Sequence, residues 1–305
     1  MSGRPLRVGI QLPEVEREVR WTELLEMTRA IEGEGFDSIW VGEHLLYRWP
    51  DRPSRGPWEA WAVLSAVAAV TSRVQLGPLV TPTGFHNPAL LAKQAATVDE
   101  ISGGRLVLGL GAGWNRVEFD AFGLPFEQRV ERFEEAFTII ATLLRDGAVD
   151  LDGRHYQARD CELLPRPRPG GPPLLIGSKG PRILRIALPH VAAWNVWWSD
   201  TGNSPAGVPA LRELVDGIAT GVGRDPAAIE RTVAVMIRLP DGTGRIDGSG
   251  QAAAIRPLEG SPTAMADELR AYAREGIGHV QLVLDPITTA SVRALVPVLR
   301  ELDRG

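Results

Sequence analysis

The sequence predicts an α/β protein: a (β/α)8 TIM barrel with insertions before the fifth strand and after the seventh. Three observations carry that expectation. Short apolar strands alternate with helical segments eight times along the chain, and alternation at that spacing means parallel strands joined by right-handed crossovers. The 305 residues accommodate one barrel of roughly 250 residues together with insertions. The composition, 44% hydrophobic and 23% charged, supplies a large core. Residues 1–305 are therefore expected to form a single barrel domain rather than two domains of average size.

The first strand, residues 6–12, is a short apolar run. Residues 21–32 follow with Leu24, Leu25, Thr28 and Ile31 at helical spacing, and Gly33 and Gly35 stop that helix. Residues 38–41 form the second strand. A long loop over 42–56 leads to Pro57, placed as the first residue of a helix through Thr71. The third strand spans 74–80. Asn87-Pro88 caps a helix running to Ile101. The fourth strand spans 105–110, and residues 129–145 are strongly amphipathic. The rhythm breaks over 147–173, rich in Pro, Gly and Arg, where 149–151 and 155–157 flank Asp152-Gly153 as a small hairpin. The fifth strand, 174–176, precedes a helix over 182–188; the sixth, 193–198, precedes one over 210–220. The seventh strand spans 232–239. A polar loop over 240–260 leads to a helix opened by Ser261-Pro262, an eighth strand over 280–284 and a closing helix over 291–302. Barrels keep their chemistry in the loops that follow the strands, so 42–56 and 240–260 are candidate walls or lids.

Lys and Arg total 33 against 38 Asp and Glu, a formal charge of −5. That slightly acidic balance argues against a general nucleic-acid binder. The longest apolar run, residues 61–70, is about half of a membrane span, and no basic segment precedes an apolar one at the N-terminus. No membrane association is expected. Cys161 is the single cysteine, compatible with a reducing cytoplasm. His44, His86, His155, His190 and His279 show no paired spacing, so no metal site is expected. Two features are unusual: Lys93 and Lys179 are the only lysines, and nine Trp stand against three Tyr.

Candidate chemistry lies after the strands. Glu43-His44 follows the second, a carboxylate and an imidazole able to bind a polar heterocycle and move a proton; a His bonded to a loop carbonyl fits the position equally well. After the fourth come Gly109, Gly111, Ala112, Gly113 and Trp114, where glycines let a flat ring or a phosphate approach the backbone. Their spacing is not the dinucleotide-binding G-x-G-x-x-G. After the fifth, Gly177, Ser178, Lys179 and Gly180 open a helix, a combination of N–H groups, hydroxyl and ammonium suited to phosphate; an ordinary βα turn uses the same residues. Lys179 as a Schiff-base lysine would need a desolvated pocket. Glu118 and Asp285 are two carboxylates that a glycosidase pair would require within about 5–9.5 Å.

Taken in order, these residues resemble the luciferase-like flavin and deazaflavin oxidoreductases, specifically the F420-dependent branch. The resemblance is carried by Pro88-x3-Ala92-Lys93-x3-Thr97-x-Asp99-x2-Ser102-x-Gly104-Arg105, running into Leu108-Gly109-x-Gly111-x-Gly113-Trp114 and Glu118-Phe119. Gly35-Phe36-Asp37-Ser38-Ile39-Trp40 before Glu43-His44, the Gly177-to-Gly180 turn before Arg182, Trp194-Asn195, Gly260-Ser261-Pro262 and Gly276-x-x-His279-Val280 agree. The match runs from about residue 6 to 300.

The resemblance implies a barrel binding coenzyme F420, with FMN as the alternative, at the C-terminal face. It implies a bulge after the third strand with a non-prolyl cis peptide at Leu79–Val80 and Thr81 beside it. It further implies that Glu43, Gly111, Ala112 and Gly113 flank the ring, and that Gly177, Ser178, Lys179 and Gly180 hold the phosphate. His44 would be the acid or base in hydride transfer between F420 and a small organic substrate, and a homodimer is implied as well. Three departures stand out. Trp114 occupies the position where sugar-phosphate dehydrogenases of the family carry a catalytic Glu, which disfavours sugar-phosphate oxidation. Val191-Ala192-Ala193-Trp194-Asn195 lacks the Asp of the relatives' Ala-Asp-Gly-Trp-Asn, and Lys179 replaces a small residue. The alternatives are an FMN-dependent monooxygenase using reduced flavin and O2 and, from another class, a hydrolytic or merely cofactor-binding barrel. Trp49, Trp114, Trp197 and Trp198 are expected in the substrate pocket, with Trp58 and Trp61 on its border; packing accounts for Trp21, Trp40 and Trp194.

Overall fold

The computed structural model describes residues 3–245 and 255–304. β1 (Arg7–Gln11), α1 (Trp21–Gly33) and β2 (Ser38–Val41) open the chain, followed by an antiparallel hairpin of β3 (Tyr47–Trp49) and β4 (Arg52–Arg55). Next come α2 (Ala60–Val70), β5 (Gln75–Pro78), β6 (Thr81–Pro82), α3 (Pro88–Ser102), β7 (Leu108–Gly111), α4 (Arg116–Phe122) and α5 (Arg129–Asp146). A second hairpin, β8 (Ala148–Asp152) with β9 (Gln157–Glu162), precedes β10 (Leu174–Gly177), α6 (Pro181–Ala187), β11 (Ala193–Val196) and α7 (Val208–Gly221). The remaining elements are β12 (Glu230–Arg238), α8 (Pro262–Arg274), β13 (Ile277–Asp285), α9 (Thr289–Ala294) and α10 (Val296–Asp303).

Nine of these strands form one parallel sheet in the order β5-β2-β1-β13-β12-β11-β10-β7-β6. The sheet curls until its ends meet: Val107 N donates to Leu76 O at 2.8 Å and Leu76 N to Arg105 O at 3.1 Å. β5 and β6 are thus one barrel strand interrupted at Leu79–Val80, and both halves run beside residues 105–111. The strands are nearly continuous apolar runs because both faces are covered, one by the barrel interior and one by helices. Val233, Val235, Ile237, Val280, Leu282 and Leu284 are accordingly buried in the main core. Toward the opposite end of the barrel from the strands' C-termini, Trp40 Nε1 donates to Ser38 Oγ at 2.7 Å. The Ser38 hydroxyl is therefore free to donate to His279 Nε2, also at 2.7 Å.

Several helix ends follow from sequence. The Asn87 side chain accepts from Leu90 N, Pro88 fills the first helical position and Gly103 ends α3 at φ 73°. Other expectations are corrected. Pro57 does not start α2; the Glu59 side chain caps it, accepting from Trp61 N and Ala62 N. The loop 42–56 contains the β3–β4 hairpin, and α4 was not anticipated because seven residues are too few for a clear period. The second arm of the predicted small hairpin lies further on, at Gln157–Glu162. The closing helix is two helices, since Pro297 at the start of α10 has no N–H to continue α9. Most of the 240–260 loop's centre lies outside the described residues.

Candidate active site

Chain segments leaving the C-terminal ends of the barrel strands surround a cavity of about 1280 Å³, large enough for a cofactor together with a small substrate. Its walls come from Glu14 after β1, Glu43 and His44 after β2, Tyr47 and Trp49 on the hairpin, and Leu79 and Val80 between β5 and β6. Gly111 to Trp114 and Glu118, Gly177 to Lys179, Trp197 and Trp198, and Asp285 complete it. Fourteen of the sixteen residues expected from sequence to serve catalysis, cofactor or substrate therefore share one cavity. Thr81 and Gly180 do not line it: Thr81 is buried in the sheet, paired through Leu110 of β7, and Gly180 caps α6. Trp61 is a core residue of α2, and Trp58 is exposed, its Nε1 donating to Val19 O; neither borders the mouth.

His44 is bonded at one ring nitrogen and flanked by a carboxylate at the other. Nδ1 donates to Glu118 Oε1 at 2.8 Å, and Nε2 lies 3.4 Å from Glu14 Oε1. Glu118 is fully buried and satisfied on both oxygens, accepting from Leu45 N at 2.5 Å and Asn115 Nδ2 at 2.5 Å. Glu14 accepts from Gln11 Nε2 at 3.0 Å and from the Tyr47 hydroxyl at 3.4 Å. Burial disfavours the His44 cation, but the Glu14 and Glu118 carboxylates outweigh it and raise the imidazole's pKa above its ordinary value. Burial in turn raises the Glu14 carboxyl, against the pull of His44 and with help from Glu16. Burial and Glu14 push the Tyr47 phenol well up, so it stays protonated. The array is a proton-holding group: an imidazole with one nitrogen locked by a carboxylate and the other beside a second.

Sequence reading missed Glu14 and Tyr47, which no spacing connects to His44. It considered Glu118 as half of a hydrolytic pair and as part of the family motif, not as a partner of His44. The pair is not formed as such a mechanism needs, because Glu118 is consumed by His44, Leu45 and Asn115, while Asp285 Oδ2 accepts from Gly244 N at 2.7 Å. Glu43 is committed at one oxygen: its Oε1 accepts from His86 Nε2 at 2.6 Å, while its buried Oε2 has no partner among the described residues. That carboxylate raises the His86 pKa against the opposing effect of burial.

The glycines answer to the bulge. The Leu79–Val80 peptide is cis, and Val80 lies over Gly111 and Gly177. A Cβ on Gly111 would stand 2.8 Å from Val80 Cγ2, and one on Gly177 would stand 2.9 Å from Val80 Cγ1. Gly113, at φ +76°, adopts a left-handed backbone, and a Cβ there would meet Phe119 Cζ at 2.8 Å. These glycines seat Val80 and Phe119 as much as they clear room for a ligand. The resulting floor of bare backbone and small apolar groups suits a flat ring, and the adjacent His44 suits a group exchanging protons.

At the other side, Lys179 Nζ pairs with Asp200 Oδ1 at 2.5 Å and is 61% exposed. Gly180 N donates to Ser178 Oγ at 3.0 Å, and Trp194 Nε1 to Ser178 O at 2.7 Å. The turn is thus internally bonded, with Lys179 screened by Asp200 and too solvated for a Schiff-base role. Asn195 Nδ2 on β11 donates to Thr232 Oγ1 on the adjacent β12 at 2.7 Å and to Gln281 Oε1 on β13, the next strand along, at 2.8 Å. Among the described residues no cluster of His, Cys, Asp and Glu could hold a metal ion, and no helix is long and apolar enough to cross a membrane.

Residues 7–242 match the luciferase-like monooxygenase family model. The chain is 34% identical over 170 residues to a 5,10-methylenetetrahydromethanopterin reductase of Archaeoglobus fulgidus, covering 56% of this chain and 47% of the relative. It is 31% identical over 245 residues to an F420-dependent glucose-6-phosphate dehydrogenase of Kineococcus radiotolerans, covering 77% and 68%. The matched region thus spans about half the length of several curated relatives. In fold, it is similar to an F420-dependent secondary alcohol dehydrogenase solved with an F420-acetone adduct, at a TM-score of 0.80, 20% identity and coverage of 97% and 99%.

Proposed function

This chain belongs to the luciferase-like monooxygenase family, and from that premise we propose that it is an oxidoreductase using coenzyme F420, built on one barrel domain. The observation that carries the reading is His44 held between Glu118 and Glu14 on the cavity wall. The relatives named for F420 support the choice of cofactor. The residues present fit it: a side-chain-poor floor at Gly111, Val80 and Gly177 accepts a flat ring, and the phosphate would fall to Ser178 and Lys179, the latter now paired with Asp200. Bound deazaflavin supplies a carbon that accepts or gives hydride but forms no oxygen adduct.

His44 does the acid–base work. Glu118 fixes Nδ1 as the protonated nitrogen, which leaves Nε2 to exchange a proton with an alcohol or carbonyl oxygen. Glu14 stabilises the imidazolium, so the proton is retained to higher pH than on a free imidazole, for delivery to a carbonyl. In the reverse direction neutral Nε2 accepts the hydroxyl proton. Leu79, Val80, Trp197 and Trp198 exclude water from the reacting atoms, while Glu43, tied to His86, stiffens the chain that carries His44. The substrate is a small molecule, the partner is a second copy of the chain and the compartment is the cytoplasm.

Titration of the purified protein with F420 and with FMN, followed by tryptophan fluorescence, tests this. Saturable F420 binding and F420-dependent turnover are expected. Tight FMN binding without F420 binding overturns the cofactor and favours the monooxygenase its family name describes; binding of neither removes the redox reading.

A further inference from the structure

We infer that Trp114 selects the substrate: the site takes an alcohol or carbonyl compound bearing a flat, aryl-sized apolar group on its reacting carbon. The inference rests on the oxidoreductase reading above. The indole of Trp114 lies 5.7 Å, edge to face, from the His44 imidazole, and 6.1 Å from the Tyr47 ring. Behind them Tyr47 stacks on Trp49 at 5.5 Å. Tyr47 and Trp49 are each 8% exposed, whereas Trp114 lines the same cavity and is 54% exposed. Of the aromatic side chains grouped at His44, the indole alone keeps a bare surface.

The placement is built. Gly113 turns the chain in the left-handed region just before Trp114. Asn115 just after it bonds Leu46 O at 3.2 Å and Glu118 Oε1 at 2.5 Å. An oxygen engaged by His44 puts the substituents of the attached carbon within a ring's breadth of the indole. A flat apolar substituent there removes bare aromatic surface from water and gains offset or edge contact, while a methyl group covers little of it and a polyol or phosphate would lose hydration against it.

The test compares 1-phenylethanol with 2-propanol. In F420-dependent assays, kcat/KM is expected to favour 1-phenylethanol by at least ten-fold. Trp114→Ala lowers that ratio by about ten-fold through the KM of the aryl substrate, and Trp114→Phe keeps it within about three-fold. Calorimetric titration of the cofactor-free protein with 1-phenylethanol gives a second readout: binding is expected in the unaltered protein and lost in Trp114→Ala. Equal losses for both alcohols, or no change in the ratio, overturn the inference. So does a Trp114→Ala variant whose sole change is a smaller assembly in sedimentation, which would mean that a second copy of the chain covers the indole. Failure to use F420 with retained, Trp114-dependent aryl binding overturns the functional reading and leaves the aryl site standing.

Discussion

Glu118 reaches His44 across 74 positions of sequence, with Oε1 2.8 Å from Nδ1. Because Glu118 sits in the first turn of α4 and is fully buried, its carboxylate is fixed by the helix rather than by solvent. His44 therefore presents one tautomer, with Nε2 the nitrogen left for chemistry. Substitution of His44 by Ala is expected to slow turnover by about 10²–10⁴-fold while F420 affinity, read by fluorescence titration, stays within a few-fold. Unchanged hydride transfer in stopped flow would remove His44 from the mechanism.

Glu118→Gln removes a charge that holds the His44 pKa up. The sign follows: with His44 raised, carbonyl reduction persists to higher pH than a free imidazole would allow and declines as pH rises through the raised pKa. In Glu118→Gln that decline moves to lower pH, and the rate falls by roughly 10²-fold, a typical loss for one misoriented acid–base group. The pH profile of kcat/KM distinguishes this from simple destabilisation, which would lower the profile without moving it.

Gly177 has no left-handed backbone, so Gly177→Ala acts purely by steric contact with Val80. The added methyl has to displace the bulge. We expect a stability loss of about 1–3 kcal/mol in urea unfolding and F420 affinity weakened roughly ten-fold. Unaltered affinity would separate the bulge from the cofactor site.

His279 predicts an acid-labile fold. Burial first, and Arg7 second, depress its pKa well below the ordinary value, so the folded chain keeps it neutral. Below pH of about 6.5 the unfolded chain takes up a proton that the folded one refuses, and stability falls as pH falls. His44, whose pKa is raised, contributes in the opposite sense: its stabilisation is full below that pH and fades as pH rises through the raised pKa. Chemical denaturation of His279→Gln, whose amide oxygen still accepts from Ser38, should show a shallower acid limb between pH 5 and 7. An unchanged limb would assign the acid sensitivity to other groups.

The barrel was legible because parallel strands covered on both faces read as separate apolar runs, and the helices between them keep their period. Asn87-Pro88 and Ser261-Pro262 marked helix starts by local chemistry alone. The β3–β4 hairpin and α4 were not legible: Arg52–Arg55 is a mostly exposed strand without alternation, and α4 has seven residues. The four cavity tryptophans were placed by their positions after strands, yet Trp61, the second residue of α2, faces the core instead.

By itself the sequence determined the alternation of elements, hence the barrel, and the loops from which the site is drawn, since these depend on local periodicity and on the fixed handedness of crossovers. Resemblance added the Leu79–Val80 bulge and gave Glu43-His44, already marked by its place after a strand, a role. Only the tertiary structure decided which groups act together. Glu14, His44 and Glu118 come from three separate strand ends; Lys179 is met by Asp200 from a neighbouring loop; Gly111 and Gly177 are small because Val80 lies over them. Hydrogen bonds, charge coupling and steric exclusion act over a few ångströms of space, and a closed barrel brings together strand ends far apart in sequence.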